Sequence, residues 1–146
     1  MKVLVQRVSR AAVTAGTDVI AEIGSGLLLL VGFGNSDGCS KLKSMASKVV
    51  QLRIFPDETG KFHYSVLDTG GEVLAVPQFT LYGETRKGRR PDFSSALAPD
   101  AARVLFSQFV IEIADAGVQW VSAGRFAEHM EVSSVNDGPV TLMLDA

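Results

Sequence analysis

Arg86, Lys87, Arg89 and Arg90 put four positive charges into five residues of a polar stretch that also holds Gly83 and Gly88. Such a cluster is either a solvated loop or a phosphate-contact patch, and a patch would position a nucleic-acid end without reading base sequence. The chain as a whole is mildly acidic: 14 Lys and Arg against 16 Asp and Glu give a net charge of −2, which excludes nucleic-acid binding through overall basicity. Cys39 is the one cysteine, so no intrachain disulfide forms, and with no His beside it the thiol reads as a bystander near a helix start. His63 and His129 fit no metal-ligand spacing, so neither a metal nor a cofactor is expected. A Ser-His-Asp triad would have to assemble in space, and nothing local supports one. Gly32-Phe33-Gly34-Asn35-Ser36-Asp37-Gly38 lies between a strand and a helix, as a phosphate loop would. It lacks the Walker ending and the dinucleotide spacing, so it reads as a plain connection. Asp57 and Glu58, close to Gly60, read as turn formers rather than as a glycosidase pair.

These residues need a scaffold, and 146 residues suit a single domain spanning 1–146. Hydrophobic residues at 47% and charged residues at 21% match a globular chain and exclude disorder over its length. The longest uniform apolar run, Leu27 to Val31, is far short of the ~20 residues a membrane span needs. Gln6 and Arg7 interrupt any signal-peptide core, so a cytoplasmic location is the expectation.

Alternation predicts a strand over Lys2 to Arg10, extended past a kink by Ala11 to Thr14, and another over Val19 to Ile23. A turn at Gly24-Ser25-Gly26 leads to Leu27–Phe33, an apolar run expected to be buried on both faces; these pieces read as a meander. Leu42, Met45, Ala46, Val49 and Arg53 share one face of a helix over Ser40–Arg53. Ile54-Phe55, the turn from Pro56 to Gly60, and Lys61–Val66 read as a hairpin. Glu72–Phe79 is a strand in which Pro77 must take an end, edge or bulge. Gly83–Ser95 is a polar loop. Pro99–Ala116 is the strongest helix, with Pro99 at its first position and Gly117 just past its end. Short strands follow at Val118–Val121, Glu131–Val135 and Val140–Leu144, the last two joined by Asn136-Asp137-Gly138-Pro139. The order gives an α+β single domain, mainly antiparallel β-sheet with two principal helices.

Two segments remain: Pro77-Gln78-Phe79-Thr80-Leu81 and Asn136-Asp137-Gly138-Pro139-Val140-Thr141. Here the chain resembles the D-aminoacyl-tRNA deacylase family, whose signatures read Ser-Gln-Phe-Thr-Leu and Asn-x-Gly-Pro-Val-Thr. The second is matched in full; the first is matched at Gln78 to Leu81, with Pro77 in place of Ser. The likeness covers nearly the whole chain through Gln6-Arg7-Val8, Glu22-Ile23-Gly24, Arg53-Ile54-Phe55, Gly70-Gly71, Arg90-Pro91-x-Phe93 and Gly124-Arg125-Phe126-Ala127.

The resemblance implies a homodimer with active sites at the subunit interface. Its substrate is the 3′ end of tRNA esterified to a D-amino acid or glycine, and its reaction is hydrolysis of that ester. It implies a cis Gly138-Pro139 bond whose carbonyls line the neighbouring subunit's pocket, with Gln78, Phe79 and Thr80 around the scissile carbonyl. Carbonyls facing the substrate Cα would collide with an L side chain and admit a D side chain or glycine. Asn136, Phe126 and Met130 are further substrate-side candidates, although Phe126, Met130 and Phe93 suit core packing equally well. Arg86, Lys87, Arg89 and Arg90 are the tRNA contacts in this reading. Thr80 is either a nucleophile, with no visible base, or a contributor of backbone N–H to an oxyanion site. A serine at position 77 would orient Gln78 or bond the terminal adenosine; Pro77 does neither. Arg7 either braces the Gly138-Pro139 loop or faces solvent.

Overall fold

Val3, Val5, Val8, Ala11 and Val13 are buried within Lys2–Ala15, which forms the central strand β1 of the computed structural model describing residues 1–146. Gly16, at φ 61°, turns the chain into β2 (Asp18–Ile23). β3 (Gly26–Gly32) follows without reversal: Ala11 faces Ile23 and Val8 faces Gly26, so β2 and β3 share one edge of β1 in a single register. The expected turn at Gly24-Ser25-Gly26 is therefore only a break in a continuous ribbon, and the expected meander does not form. Gly26 serves a close approach instead. A Cβ there would lie 1.8 Å from the Glu72 carbonyl oxygen, so the bare backbone lets β6 (Glu72–Pro77) pack alongside.

β6 pairs with β3 in parallel, and β7 (Val121–Ala123) pairs in parallel with β6. Pro77 takes the end of β6, where a missing donor costs least. β7 starts three residues later than expected because Val118 turns into the core. β8 (Glu131–Asp145) covers the other edge of β1 as one strand, not two. Ser122 Oγ donates to the Glu22 carbonyl at 3.4 Å, drawing β7 back toward β2, so the sheet curls into a barrel-like roll.

The helix begins later and ends earlier than its pattern suggests. A 3-10 turn at Cys39–Lys41 leads into α1 (Leu42–Val50), after which the chain bends so that the Ile54 carbonyl meets Arg7. The hairpin shortens to β4 (Phe55–Pro56) and β5 (Phe62–Tyr64). The rest of the expected Lys61–Val66 strand is replaced by a short helix, α2 (Val66–Thr69). The Ser65 hydroxyl accepts from the Asp68 N–H and the Asp68 carboxylate accepts from the Ser65 N–H, a capping box that overrides the strand pattern. α3 (Pro99–Asp115) forms as expected, its Ala102, Leu105, Phe106, Phe109 and Ile113 buried. No helix is long and apolar enough to cross a membrane.

Two cores result. Val3, Val5, Leu27, Leu29, Val73 and Ala75 pack with α1 and α3 on one face, while Val8, Ala11, Val13, Leu28, Leu74 and Val76 form a smaller cluster on the other. The central strands are thus buried on both faces, the condition under which parallel pairing is found.

Asp37 fastens the chain's first residue to this frame. Its Oδ1 accepts from the Met1 ammonium at 2.7 Å and from Lys41 Nζ at 2.9 Å, and its Oδ2 from the Gly34 N–H at 2.7 Å and the Tyr82 hydroxyl at 3.0 Å. Burial alone would push this carboxyl up; the bonds from the ammonium, Gly34, Lys41 and Tyr82 outweigh it and hold Asp37 at about 2. A carboxyl depressed in the folded state stabilises it above the unfolded value near 4 and loses that contribution as pH falls toward 2. Asp37→Asn is therefore expected to flatten the acid limb: between about pH 4 and 2, wild type loses on the order of 2 kcal/mol that the variant does not, measured by urea unfolding at stepped pH. Equal slopes in the two proteins would remove Asp37 from the account.

Candidate active site

β6 ends at Pro77, and the chain turns at Gln78 (φ −145°, ψ 78°) into a 3-10 turn, Phe79–Tyr82. The turn rests on glycine. A Cβ on Gly32 would come within 2.8 Å of the Gln78 carbonyl oxygen, and one on Gly34 within 2.6 Å of the Tyr82 ring. This is what the Gly32–Gly38 stretch does: it is a seat for the turn as well as the connection to α1.

The turn opens onto a cleft of about 560 Å³ lined by Pro77, Gln78, Phe79, Phe93, Phe126 and Met130, among others. Phe79 is 56% exposed and meets Phe93 edge-on with centroids 5.0 Å apart. Phe126 is held from behind by Phe106 of α3, at 6.5 Å, and by the Arg103 guanidinium 5.3 Å from its ring. Met130 Sδ accepts from the Arg125 N–H at 3.3 Å. Ala127, also on the wall, has φ 62°, a region where a β-carbon is crowded. The cleft is mostly apolar with a few polar groups, Gln78, Glu128 and His129 among them, the usual form of a small-molecule site.

Thr80 Oγ1 accepts a short hydrogen bond from Gln78 Nε2. No carboxylate or imidazole is bonded to the Thr80 hydroxyl, so nothing is placed to take its proton. His129 and Glu128 line the cleft without touching it, and His63 lies on β5. The N–H groups of Phe79 and Thr80, first in the turn, have no acceptor within the chain, as is usual where a helical turn begins.

Gly138 and Pro139 lie elsewhere. Gln6 pairs with Thr141 and Val8 with Asn136, so residues 137 to 140 of β8 bulge out opposite the single residue Arg7. Arg7, only 7% exposed, donates from Nη1 to the Ile54 carbonyl at 2.5 Å and from Nε to the Asp137 carbonyl at 3.2 Å, and pairs with Asp137 Oδ2 at 3.0 Å. Of the two readings of Arg7, the brace is the one realised. Asn136 closes the bulge from within: its Oδ1 accepts from the Val140 N–H at 3.2 Å and its Nδ2 donates to Thr141 Oγ1 at 2.8 Å. Gly138, at φ +125°, has no room for a side chain, since a Cβ would meet Val140 Cγ2 at 2.8 Å and Arg7 Nη2 at 3.0 Å. The Gly138-Pro139 bond is cis. Both residues are exposed, and neither lines the cleft of its own chain.

The basic residues sit on a small hairpin. Glu84 and Asp92 exchange backbone bonds at 2.8 and 2.9 Å, so Arg86, Lys87, Arg89 and Arg90 form an exposed tip just before the cleft residue Phe93. Arg86 is not free: it pairs with Glu84 at 2.6 Å and holds that carboxyl down at about 2. Lys87, Arg89 and Arg90 make no ion pair.

The structure thus joins Gln78, Phe79, Phe126 and Met130 on the cleft, with Thr80 next in the turn but not on the cleft lining, and sets Asn136, Gly138 and Pro139 at another place. Sequence reasoning missed Asp37 and Tyr82, which anchor the turn from behind. The visible signal was the pair of glycines at 32 and 34, followed by a lone Asp.

Comparison with known proteins bears on both places. A family model described as D-Tyr-tRNA(Tyr) deacylase matches residues 4–145. A D-aminoacyl-tRNA deacylase of Desulforudis audaxviator is 51% identical over 146 residues, covering 100% of this chain and 97% of the relative. One from a Roseiflexus species is 51% identical over 146 residues, covering 100% and 94%. A solved structure titled c-Myc DNA Unwinding Element Binding Protein superposes with TM-score 0.94 at 38% identity, covering 100% of this chain and 99% of that one. A probable eukaryotic D-amino acid tRNA deacylase shares the fold at TM-score 0.86 and 19% identity over 99% and 98%. With the match running through the Gln78 turn and the Gly138 bulge alike, this chain belongs to the D-aminoacyl-tRNA deacylase family.

Proposed function

We propose that the protein hydrolyses the ester of D-aminoacyl-tRNA, and of mischarged glycyl-tRNA, as a homodimer in which each cleft is completed by the Gly138-Pro139 bulge of a second copy. One observation carries this reading. The two motifs form separate, individually incomplete surfaces: an apolar cleft with unengaged N–H groups, and a braced bulge exposed to solvent. A two-fold axis brings such surfaces together reciprocally. Val135, Leu142 and Met143 are exposed around the bulge, as a surface awaiting a partner would have them.

In this arrangement water attacks the ester carbonyl carbon. The electron pair moves to the carbonyl oxygen, which the Phe79 and Thr80 N–H groups receive. The C–O bond to the ribose 3′ oxygen then breaks, that oxygen leaves with a proton, and the amino acid leaves as its acid. One oxyanion donor typically contributes ~10²–10³ in rate, enough for an ester that is already activated. The 2′-hydroxyl of the tRNA terminus orients the water. Thr80 supplies backbone and a hydroxyl engaged by Gln78 rather than a nucleophile. The Gly138 and Pro139 carbonyls of the second copy face the substrate Cα, reject an L side chain by contact, and leave glycine unopposed. Pro77 gives no hydroxyl to the adenosine, so that contact is absent. Lys87, Arg89 and Arg90 hold tRNA phosphates at the mouth. No cofactor takes part, and a cytoplasmic location, where tRNA is charged, suits the reaction.

The direct test is hydrolysis of D-aminoacyl-tRNA, its L counterpart and a simple D-amino-acid ester, with molar mass measured by light scattering. Cleavage of the first alone by a dimer is expected. Equal rates on both hands would end the steric account, and tight binding without turnover would favour a binding module. Thr80→Ala is expected to keep more than about half of kcat, whereas loss of a serine nucleophile in a triad costs about 10⁶-fold. Replacing Lys87, Arg89 and Arg90 together by Ala is expected to raise KM about tenfold with kcat unchanged, each lost phosphate contact lowering the slope of log KM against log salt by about 0.7–0.9. An unchanged salt slope would return the tip to a solvated loop.

A further inference from the structure

We propose that Tyr82 is a positioning residue for the deacylase reaction: its hydroxyl, anchored on Asp37 behind the cleft, fixes the Phe79–Tyr82 turn in the geometry that leaves the Phe79 and Thr80 N–H groups free for substrate. This inference rests on the function proposed above. A four-residue 3-10 turn has little stability of its own, so its shape is imposed from outside.

The outside contacts are few and identifiable. Beneath the turn lie the bare backbones of Gly32 and Gly34, and the Gln78 N–H donates to the Val31 carbonyl at 2.7 Å, which fixes where the turn starts but not the direction of its far end. At its C-terminal end Tyr82 Oη donates to Asp37 Oδ2 at 3.0 Å. Lys2 Nζ reaches the Leu81 carbonyl at 3.3 Å and stands 4.8 Å from the centre of the Tyr82 ring. Ser95 Oγ donates to the Tyr82 carbonyl at 3.2 Å, joining the turn to the segment that carries Phe93.

Asp37 makes a rigid anchor because its side chain, 3% exposed, already accepts from the Met1 ammonium, Lys41 and Gly34. A carboxylate held by three donors outside the turn does not follow the turn if the turn shifts. Tyr82 belongs to neither hydrophobic core, so its contribution is direction rather than bulk. The lever is short, since Phe79 and Thr80 precede Tyr82 by three and two residues. Misplacing catalytic groups by 1 Å from a remote change can cost about 10²-fold.

Tyr82→Phe removes the hydroxyl and keeps the ring against Gly34. The expected result on D-aminoacyl-tRNA is a fall in kcat of about tenfold, with KM within about twofold, because the loss falls on groups used in the transition state. Amide hydrogen exchange of residues 79–83, without substrate, is expected to rise, while Asp37→Asn should lower kcat similarly and the double variant no further. Tyr82→Phe with wild-type kcat and unchanged exchange would overturn the proposal, as would strict additivity in the double variant. A wild-type protein inert on D-aminoacyl-tRNA would instead overturn the functional reading, and exchange at 79–83 would still decide whether the anchor holds the turn.

Discussion

Arg7 is a charged side chain in the middle of the central strand, buried to 7% exposure, and a guanidinium there must be paired or it costs several kcal/mol. Its pairing ties together three segments distant in sequence. Nη1 holds the Ile54 carbonyl where the chain leaves the α1 region, and Nε holds Asp137 in the bulge of β8. The same guanidinium stands 5.8 Å from the Phe62 ring of β5. Residues 137 to 140 leave the ladder and return to it around Arg7, with Asn136 closing the bulge from within. Gly138 is the residue that the crowding beside Arg7 permits, because any side chain would meet Nη2. The shape of the bulge is thus a consequence of satisfying one buried charge.

The turn that borders the cleft is organised on another principle. The Gln78–Tyr82 turn is seated on glycine and pinned by polar contacts at its edges, with no buried charge inside it. Close backbone approach at Gly32 and Gly34 sets its height, and the Asp37 cluster sets its direction. Both signature segments present rigid backbone. On one side N–H groups lack acceptors; on the other, carbonyl-bearing residues lack a neighbour.

Electrostatics divides the molecule in the same way. Asp37 works inside, collecting an ammonium, a lysine, a phenol and an amide, and stays ionised well below neutral pH. Burial and the Asp37 bond push the Tyr82 phenol up, so it remains a donor throughout the working range. The hairpin tip at 86–90 works outside, where only local density of charge matters. Within it, Glu84 already occupies Arg86, leaving Lys87, Arg89 and Arg90 as the free cations.

Local pattern determined much of this protein. Pro99 and Gly117 bounded α3, alternation marked β1, and Asp57 formed the expected turn by accepting from Thr59 and Lys61. These are short-range effects, and composition near each residue suffices to read them. The two signature segments stood out through resemblance to a known family rather than through local pattern, and with them the cleft residues Gln78, Phe79, Phe126 and Met130. Pairing was not legible. That Leu27–Phe33 is buried on both faces was readable, yet its parallel partner β6 depends on a backbone contact at Gly26 with a residue 46 positions away. One strand instead of two at β8, the brace by Arg7 and the anchor at Asp37 likewise arise from long-range proximity. Only the closed fold brings those groups within hydrogen-bonding reach, and a linear sequence carries no distance between them.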